Sequence, residues 1–365
     1  MPRCTDLPPD LAGHPFTVGA ARDAGVGEGR LRGSDLAAPY RGVRVPLEQS
    51  ETRQPRPAGR TLPSPRVPSP PPVPPSSRTP PKQPTPWSLT TSRASANEPA
   101  TAARTSSIAD RCREYAPLLR PGQFFSHVTA ARLWDCPLPN RLSADEPLHV
   151  STLVPARAPR SRGIRGHQVQ TETPIAFRHG LPVSDPASTW LALASTLHRD
   201  DLVAVGDHLV LSPFVLDPHN LRPHTSVEAL QEQVARYGAR GVRAAASTVR
   251  LIRQGAESRP ESLLRLLILR AGLPEPAINI DVTDAAGRRL GRADLVYPEW
   301  RTIVEYDGDQ HRTDAGQYDR DITRVEDFAG ADWSVVRVRS RGLFVTPDDT
   351  AARIEWALRR GGWKR

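Results

Sequence analysis

The chain has 365 residues, a formal net charge of +9, 39 prolines and three cysteines. Its length allows two or three domains, and its cysteines form no CxxC pair, so we expect neither a disulfide framework nor a structural zinc site. No apolar run reaches about 18 residues, and the start of the sequence lacks an apolar signal-peptide core. We therefore expect no membrane span and a cytoplasmic location.

The positive charge is unevenly distributed. Residues 51–107 carry a net charge of +6, whereas residues 256–365 hold 18 basic and 19 acidic groups. Because the basic excess lies mainly in one proline-rich segment, the net charge alone is weak support for nucleic-acid binding. The chain has only two lysines, Lys82 and Lys364.

Residues 1–50 predict a small folded unit. Thr17 is a candidate N-cap for a helix that Gly25 ends, and a second short helix is predicted from Glu28 to Leu36. Tyr40–Val45 then alternates like a strand. This order is typical of a winged helix-turn-helix, and the alternative is a small helical unit without DNA contact.

Residues 51–107 are rich in proline, serine, threonine and arginine. Such a composition cannot bury a core, so we predict a disordered linker or insertion.

Residues 108–255 predict a second folded region, of helices and two strands. The predicted helices are Ile108–Leu119, Phe124–Trp134 with Ser126 as its cap, Ser184–Leu197, Asp201–Leu211 and Ser226–Ile252, and the predicted strands are Leu148–Val154 and Gly166–Gln170. Ser126 and His127 raise the question of nucleophilic catalysis. A helix cap and a packed histidine are the favoured interpretation.

Several short motifs in these two regions resemble AbiEi-type antitoxins of type IV toxin–antitoxin systems. They are Phe16-Thr17, Ala24-Gly25-Val26, Gly42-Val43-Arg44, Ser126-His127 with Thr129-Ala130-Ala131, His167, and Gly180-Leu181-Pro182-Val183. The resemblance covers residues 13–45 and 120–211. It implies a winged-helix DNA-binding unit followed by an α+β, largely helical accessory domain.

Residues 256–365 give the strongest domain prediction. Ser258 and Glu261 form a capping box before an apolar helix that Gly272 ends. The later elements are predicted as strands Ala277–Val282, Gly291–Tyr297 and Thr302–Tyr306, helix Ala315–Ala329, strand Trp333–Val338 and helix Pro347–Arg359, with turns at Asp284–Gly287 and Pro298-Glu299. The predicted order is α-β-β-β-α-β-α.

Three acidic residues interrupt the predicted strands of this domain. Asp294 lies within the second strand, and Glu305 and Asp307 close the third. A buried carboxylate costs several kcal/mol unless it is paired or binds a metal. Because side chains alternate along a strand, Glu305 and Asp307 should face one side, where Asp294 can join them. Such an oxygen-rich site suits Mg²⁺. The alternative is structural pairing with Arg292 or Arg337.

The strand order and the spacing of these residues resemble the PD-(D/E)xK superfamily, in the branch related to very short patch repair endonucleases. The matching residues are Arg292, Asp294, Glu305, Asp307-Gly308, His311, Arg324 and Trp333–Arg337, and the resemblance spans about residues 258–360. It implies an α/β restriction-endonuclease-like fold with a mixed sheet, and a metal-dependent nuclease activity on DNA.

The resemblance also implies individual roles. Asp294 would be the principal ligand of Mg²⁺ or Mn²⁺, Glu305 the second acid, and the Tyr306 carbonyl a further ligand. Glu261 would hold a metal-bound water, or would serve only in the capping box.

This chain departs from the superfamily pattern at the position of its lysine, which Asp307 occupies. We expect Asp307 to add to the metal site and His311 to act as general base, unless His311 is only structural. The residues expected to contact nucleic acid are Arg292, Arg312, Arg337 and Gln310. Alternatively, Gln310 packs at the turn and does not contact nucleic acid.

The sequence therefore predicts a metal-dependent DNA endonuclease domain behind an AbiEi-like DNA-binding region. One alternative is an antitoxin-like regulator whose nuclease fold is inactive, and another is a toxin-like nuclease that acts on RNA. The oligomeric state stays open.

Overall fold

The computed structural model describes residues 6–47, 107–142, 145–170, 173–236, 238, 241–308 and 324–365. The described parts of Met1–Pro46 and Ser106–Arg365 form one compact unit. This unit is mixed α/β, with three β-sheets in the described ranges. Within the same ranges no helix is both long and apolar enough to cross a membrane. The predicted linker lies outside the described residues except for Ser107.

The N-terminal sheet is small and has the strand order β1-β3-β2. Its elements are β1 (Phe16–Thr17), α1 (Val18–Asp23), a 3-10 turn (Arg30–Arg32), β2 (Leu36–Ala37) and β3 (Val43–Pro46). Thr17 caps α1 as predicted, because its Oγ1 accepts a hydrogen bond from the Ala20 N–H at 3.0 Å. The predicted helix from Glu28 to Leu36 is wrong, and only the 3-10 turn forms there. Three glycines in and beside this segment make a longer helix costly.

The middle region is built on a five-stranded sheet with the strand order β6-β5-β4-β8-β7. Its strands are β4 (Gln123–Phe125), β5 (Leu148–Leu153), β6 (Ile164–Val169), β7 (Ile175–Arg178) and β8 (Leu181–Ser184). Its helices are α2 (Ile108–Tyr115), α3 (His127–Leu133), α4 (Pro186–Leu193), α5 (Arg199–Val210), α6 (Val227–Arg236) and α7 (Val242–Val249).

Four sequence predictions for the middle region need correction. The predicted helix from Ser226 to Ile252 is two helices, and Gly241, with a φ of +94°, precedes the second. Phe124 belongs to β4 rather than to a helix, and the helix predicted from Ser184 begins only at Pro186, behind the N-cap Asp185. Ser126 precedes α3 but makes no side-chain cap hydrogen bond. Its Oγ instead accepts a hydrogen bond from the Ser151 hydroxyl at 2.7 Å.

One hydrophobic core joins the N-terminal and middle regions. Tyr40 and Val43 are buried in the same cluster as Cys112 and Tyr115. The Tyr40 and Tyr115 rings meet edge to face, with centroids 5.1 Å apart. The described parts of residues 1–50 and 108–255, which were predicted as separate domains, therefore share one hydrophobic core.

The C-terminal region has the strand order β12-β11-β10-β9, in which only β11 and β12 are parallel. Its elements are α8 (Arg259–Arg270), β9 (Ala277–Thr283), β10 (Arg289–Tyr297), β11 (Thr302–Tyr306), α9 (residues 324–330), β12 (Ser334–Val338), α10 (Ser340–Phe344) and α11 (Pro347–Arg360). The described elements follow the predicted order, with the short helix α10 added. A 3-10 turn, Pro298–Trp300, replaces the predicted tight turn.

Helix α8 fixes the C-terminal region to α5 of the middle region. Arg265 of α8 is fully buried and pairs with the fully buried Asp207 of α5 at 3.2 Å. It also donates to the Leu251 carbonyl at 2.6 Å and pairs with Glu275 at 3.1 Å. Removing one partner of such a pair leaves a buried charge without compensation, which costs about 3–5 kcal/mol. The two regions are therefore strongly coupled.

Candidate active site at the end of the C-terminal sheet

Asp294 lies in β10, one residue before Leu295. Leu295 pairs with Val304 in the antiparallel register of β10 and β11. The Asp294 Oδ2 accepts a hydrogen bond from the Tyr306 N–H at 2.8 Å. Continuing the antiparallel register by one step sets Asp294 opposite Glu305, and cross-strand neighbours have Cβ atoms about 4.5–5.5 Å apart. The two strands therefore bring these two predicted acids together.

Glu305 is buried, with 5% of its surface exposed. Its carboxylate pairs with the Arg324 guanidinium of α9 at 3.3 Å. Arg324 also donates to the Arg292 carbonyl on β10 at 2.8 Å. One arginine from α9 thus connects β10 with the acid on β11 and fixes the position of Glu305.

Glu261 stands in the first turn of α8 and is 9% exposed. The Ser258 hydroxyl donates to its Oε1 at 2.7 Å, and the Asn279 amide donates to its Oε2 at 2.7 Å. Its own N–H donates to the Ser258 Oγ at 3.4 Å. The N-cap half of the predicted capping box is confirmed, whereas the backbone N–H that donates to the Glu261 carboxylate, at 2.9 Å, is that of Glu257. Partners from two elements hold the carboxylate in one orientation.

The three acids influence one another electrostatically. Burial first, and then the negative charges of Glu261 and Glu305, raise the pKa of Asp294 to about 7. The Tyr306 N–H and Arg324 lower the same pKa, but they do not outweigh burial and repulsion. A cation among these carboxylates would offset the repulsion, because an opposite charge nearby favours the ionised form. The donor set therefore fits a hard dication such as Mg²⁺.

The acids are not all in direct mutual contact. Among the described residues, the one group of three or more potential metal ligands within 4.8 Å of one another is His127, His149 and His167. The carboxylates of Glu261, Asp294 and Glu305 spread wider than that. Since Mg²⁺ usually keeps several waters, an acid of such a group can act through a bound water as well as directly.

Asp307 is engaged elsewhere. Its carboxylate pairs with Arg339 at 3.0 Å and with Arg337 at 3.4 Å. Arg337 lies in β12 and Arg339 comes directly after it, and β12 runs parallel to β11. Asp307 thus makes the structural pair with Arg337 that was the alternative to a metal site. Two positive charges already compensate its carboxylate. The predicted role of Asp307 as a metal ligand gains no support from its contacts.

Arg292 is held within the protein. Its guanidinium pairs with Glu257 at 3.0 Å and lies over the Phe214 ring, 4.9 Å from the ring centroid. Phe214 is itself 69% exposed. Of the other predicted contacts, Gln310, His311 and Arg312 lie outside the described residues.

The sequence prediction missed the supporting residues. Arg324 was named as a residue that matches the nuclease-like spacing, and no contact was predicted for it. Asn279, with a φ of +49°, occupies the left-handed region that asparagine tolerates better than most residues. Arg339 lies two residues beyond the predicted Arg337, so its spacing on a strand was the available signal for a shared face.

Comparison with known proteins adds little to this site. No family model matches the chain, and no solved structure matches it with significance. Two relatives, Uncharacterized protein MT2308 and Uncharacterized protein Rv2248 of two Mycobacterium tuberculosis strains, are each 29% identical over 123 residues. The match covers 34% of this chain, and the chain spans 45% of the length of these relatives. The names of these relatives state no activity.

Proposed function

We propose that the C-terminal region is a metal-dependent DNA endonuclease domain of the restriction-endonuclease-like class. The observation that carries the proposal is the gathering of Glu261, Asp294 and Glu305, in which burial and then the charges of the two glutamates raise the pKa of Asp294 to about 7. These acids come from the first helix and from the second and third strands of an α-β-β-β-α-β arrangement. That arrangement supports the resemblance to the PD-(D/E)xK superfamily.

In this proposal Asp294 and Glu305 hold one Mg²⁺ or Mn²⁺ directly, and Glu261 orients a water beside it. The bound ion would lower the pKa of water and offset negative charge on the phosphate. Tyr306 fixes Asp294 through its N–H, and its carbonyl is the proposed further ligand. Arg324 holds Glu305. His311 remains the predicted general base.

The nucleic-acid partner is proposed from charge and exposure beside the site. Arg337 and Arg339 are 43% and 59% exposed while they pair with Asp307. A phosphate could replace that carboxylate as the partner of either guanidinium, because arginine binds both groups in the same geometry. The AbiEi-like DNA-binding role of the N-terminal region also stays a proposal. Its single short α-helix in the described residues weighs against a complete helix-turn-helix.

The second candidate is a DNA-binding regulator with an inactive nuclease fold. Asp307 favours the regulator, because it stands where the superfamily pattern has lysine. Its carboxylate is paired with Arg337 and Arg339. The two candidates make opposite predictions for cleavage and the same prediction for binding.

Nicking of supercoiled plasmid in Mg²⁺ or Mn²⁺ distinguishes the candidates. We expect cleavage by the wild type and strong loss in Asp294→Asn and Glu305→Gln. The matched control is Asp281→Asn, which removes an exposed acid on β9 that pairs with Arg289 at 2.9 Å. Cleavage that survives both site substitutions contradicts the site. DNA binding without any cleavage of DNA or RNA supports the regulator, and cleavage of RNA alone supports the toxin-like alternative.

A further inference from the structure

A second cluster of chemically active side chains lies in the middle region. His127 begins α3, His149 stands on β5, and His167 stands on the neighbouring parallel strand β6. The core residues Leu148 and Val150 alternate with His149 along β5. The three histidines therefore occupy the opposite face of the sheet from that core, together with Ser126 and Ser151. We call these three residues the histidine cluster.

The rings are close enough to share one ion. One nitrogen from each ring lies within 4.8 Å of the other two. His167 Nε2 is 3.1 Å from His149 Nδ1, and two nitrogens bound tetrahedrally to Zn²⁺ at 2.0–2.1 Å are about 3.4 Å apart. The His127 ring stacks on His167 with centroids 3.8 Å apart. Closing all three nitrogens on one ion requires the His127 ring to turn out of this stack.

The cluster contains a buried polar atom without a partner. His149 is only 4% exposed, and within the described residues its Nε2 has no hydrogen-bond partner. A buried polar group in that state costs about 1–3 kcal/mol. An ion bound at Nδ1, the His149 nitrogen that faces His167, would leave this Nε2 without a partner, so the metal site rests on the spacing of the three rings. His127 also has a φ of +51°, a conformation that costs energy and is frequent at functional sites.

The protonation states suit metal ligation. Burial first, and then His167 and Arg165, lower the pKa of His127 to about 3 and that of His149 to about 4. Burial and Arg165 also lower the pKa of His167. An imidazole with the ordinary pKa of about 6.5 is already mostly neutral above pH 7, and a neutral ring keeps the lone pair that metal binding needs.

We propose that His127, His149 and His167 form a binding site for one transition-metal dication, with Zn²⁺ the best fit. Neutral imidazoles favour zinc, nickel and copper over Mg²⁺. Three histidines leave the fourth tetrahedral position open for water or another small ligand. The Ser126 hydroxyl lies 3.0 Å from His127 Nδ1, the nitrogen that would then face away from the ion. Ser126 is thereby a positioning residue for that ring.

The surroundings define what competes with this site. Arg165 is the charged group whose field reaches all three rings, and its positive charge weakens cation binding. Cys112 and Cys136 are buried, and burial raises the pKa of both thiols. Neither thiol is therefore a ready ligand for added zinc. Cys4 lies outside the described residues, so a Cys4→Ser background removes it from the test.

The test is a titration of the untagged full-length chain with Zn²⁺ after removal of metal by a chelator. In excess Mg²⁺, which occupies the acids of the C-terminal region, we expect one equivalent of Zn²⁺ to bind with a dissociation constant of about 1 µM or lower. Bound Co²⁺ should give the intense visible absorption of a tetrahedral site. The double variant His127→Gln/His167→Gln should bind at least about 100-fold more weakly, because it retains one of three ligands.

Two controls separate this site from the acids and from general effects of removing histidine. His208→Gln removes another partly buried histidine of the middle region, and Asp294→Asn removes an acid of the C-terminal region. Both should keep the zinc affinity of the wild type, and circular dichroism checks the fold of every variant. Absence of zinc binding by the wild type, or equal affinity in the folded double variant, overturns the proposal. The acids could still support cleavage in either case.

Discussion

The C-terminal acids and the histidine cluster respond to burial in opposite ways. Burial raises the pKa of Asp294 to about 7, whereas it lowers the pKa of His127 to about 3. The physical cause is the same, since a poorly solvated site disfavours the charged form of either group. The result differs because a protonated acid must lose a proton to bind a cation, while a neutral imidazole is ready to bind. In the two proposals, one fold would hold two sites for different ions.

The two clusters also differ in how they are held. Glu305 and Glu261 are fixed by residues from other elements, Arg324 and Asn279. The histidines contact mainly one another and the serines beside them. A site held by external partners keeps its geometry without the ion, whereas the stacked rings must rearrange around it. This difference predicts distinct effects of mutation and pH on the two regions.

The largest expected effect is on the contact that joins the two regions. Arg265→Ala removes the buried partner of Asp207 and should lower the free energy of unfolding by about 3–5 kcal/mol. Arg270→Ala is the matched control on the same helix, because Arg270 is 59% exposed in its pair with Asp200. Its loss should cost at most about 1 kcal/mol. Urea unfolding measures both, and equal effects would contradict the coupling.

Cleavage should rank the acids by their distance from the ion. Glu305→Gln should lower the rate of plasmid nicking by about 100-fold or more, because it changes a direct ligand. Glu261→Gln should lower it by about 10-fold, because Glu261 acts through a water and also caps α8. Initial rates at saturating Mg²⁺ measure the ranking. A loss at Glu261 as large as that at Glu305 would contradict the assignment of Glu261 to a bound water.

Asp294→Asn should stabilise the protein when no metal is present. The pKa of Asp294 is raised in the folded chain, so its ionisation costs stability as the pH rises from about 4 to about 7. Asparagine removes this cost and can still accept the Tyr306 N–H. At pH 8 with a chelator, the gain should be about 1–2 kcal/mol. Thermal unfolding checks it, and a destabilised variant would show that the carboxylate is structural.

The middle region should lose stability in mild acid. Burial, assisted by Arg222, lowers the pKa of His208 and of His224 to about 4. The unfolded chain takes up these protons near pH 6.5, so stability is complete above that pH and falls as the pH drops toward 4. His208→Gln should flatten this decline, and the exposed His198→Gln should leave it unchanged. Unfolding midpoints between pH 7 and pH 5 test both expectations.

Strong local patterns made much of the C-terminal region predictable. The strand Thr302–Tyr306 was predicted to the residue, because a short apolar run ended at acids and followed a turn. The convergence of Glu261 with Asp294 could be suggested only by resemblance, since the contact depends on how the start of α8 approaches the sheet. Arg324 and Asn279 owe their roles to tertiary contacts that no local pattern encodes.

The histidine cluster was missed for a related reason. His127, His149 and His167 are widely spaced in the sequence, so they form no short zinc motif, and the sequence prediction expected no zinc site. Only the parallel pairing of β5 with β6, and α3 after β4, bring the rings together. The predicted second helix of the N-terminal unit was wrong for the opposite reason. Its glycines were a local signal against a helix, and the prediction followed the expected winged-helix order instead.

Direct measurement of Mn²⁺ binding tests the central claim, that Asp294 and Glu305 form a metal site distinct from the histidine cluster. Electron paramagnetic resonance of the full-length chain should show one bound Mn²⁺, lost in Asp294→Asn and in Glu305→Gln. The same ion should stay bound in His127→Gln/His167→Gln and in Asp281→Asn. Mn²⁺ binding that both acid substitutions leave intact, in correctly folded variants, would contradict the account.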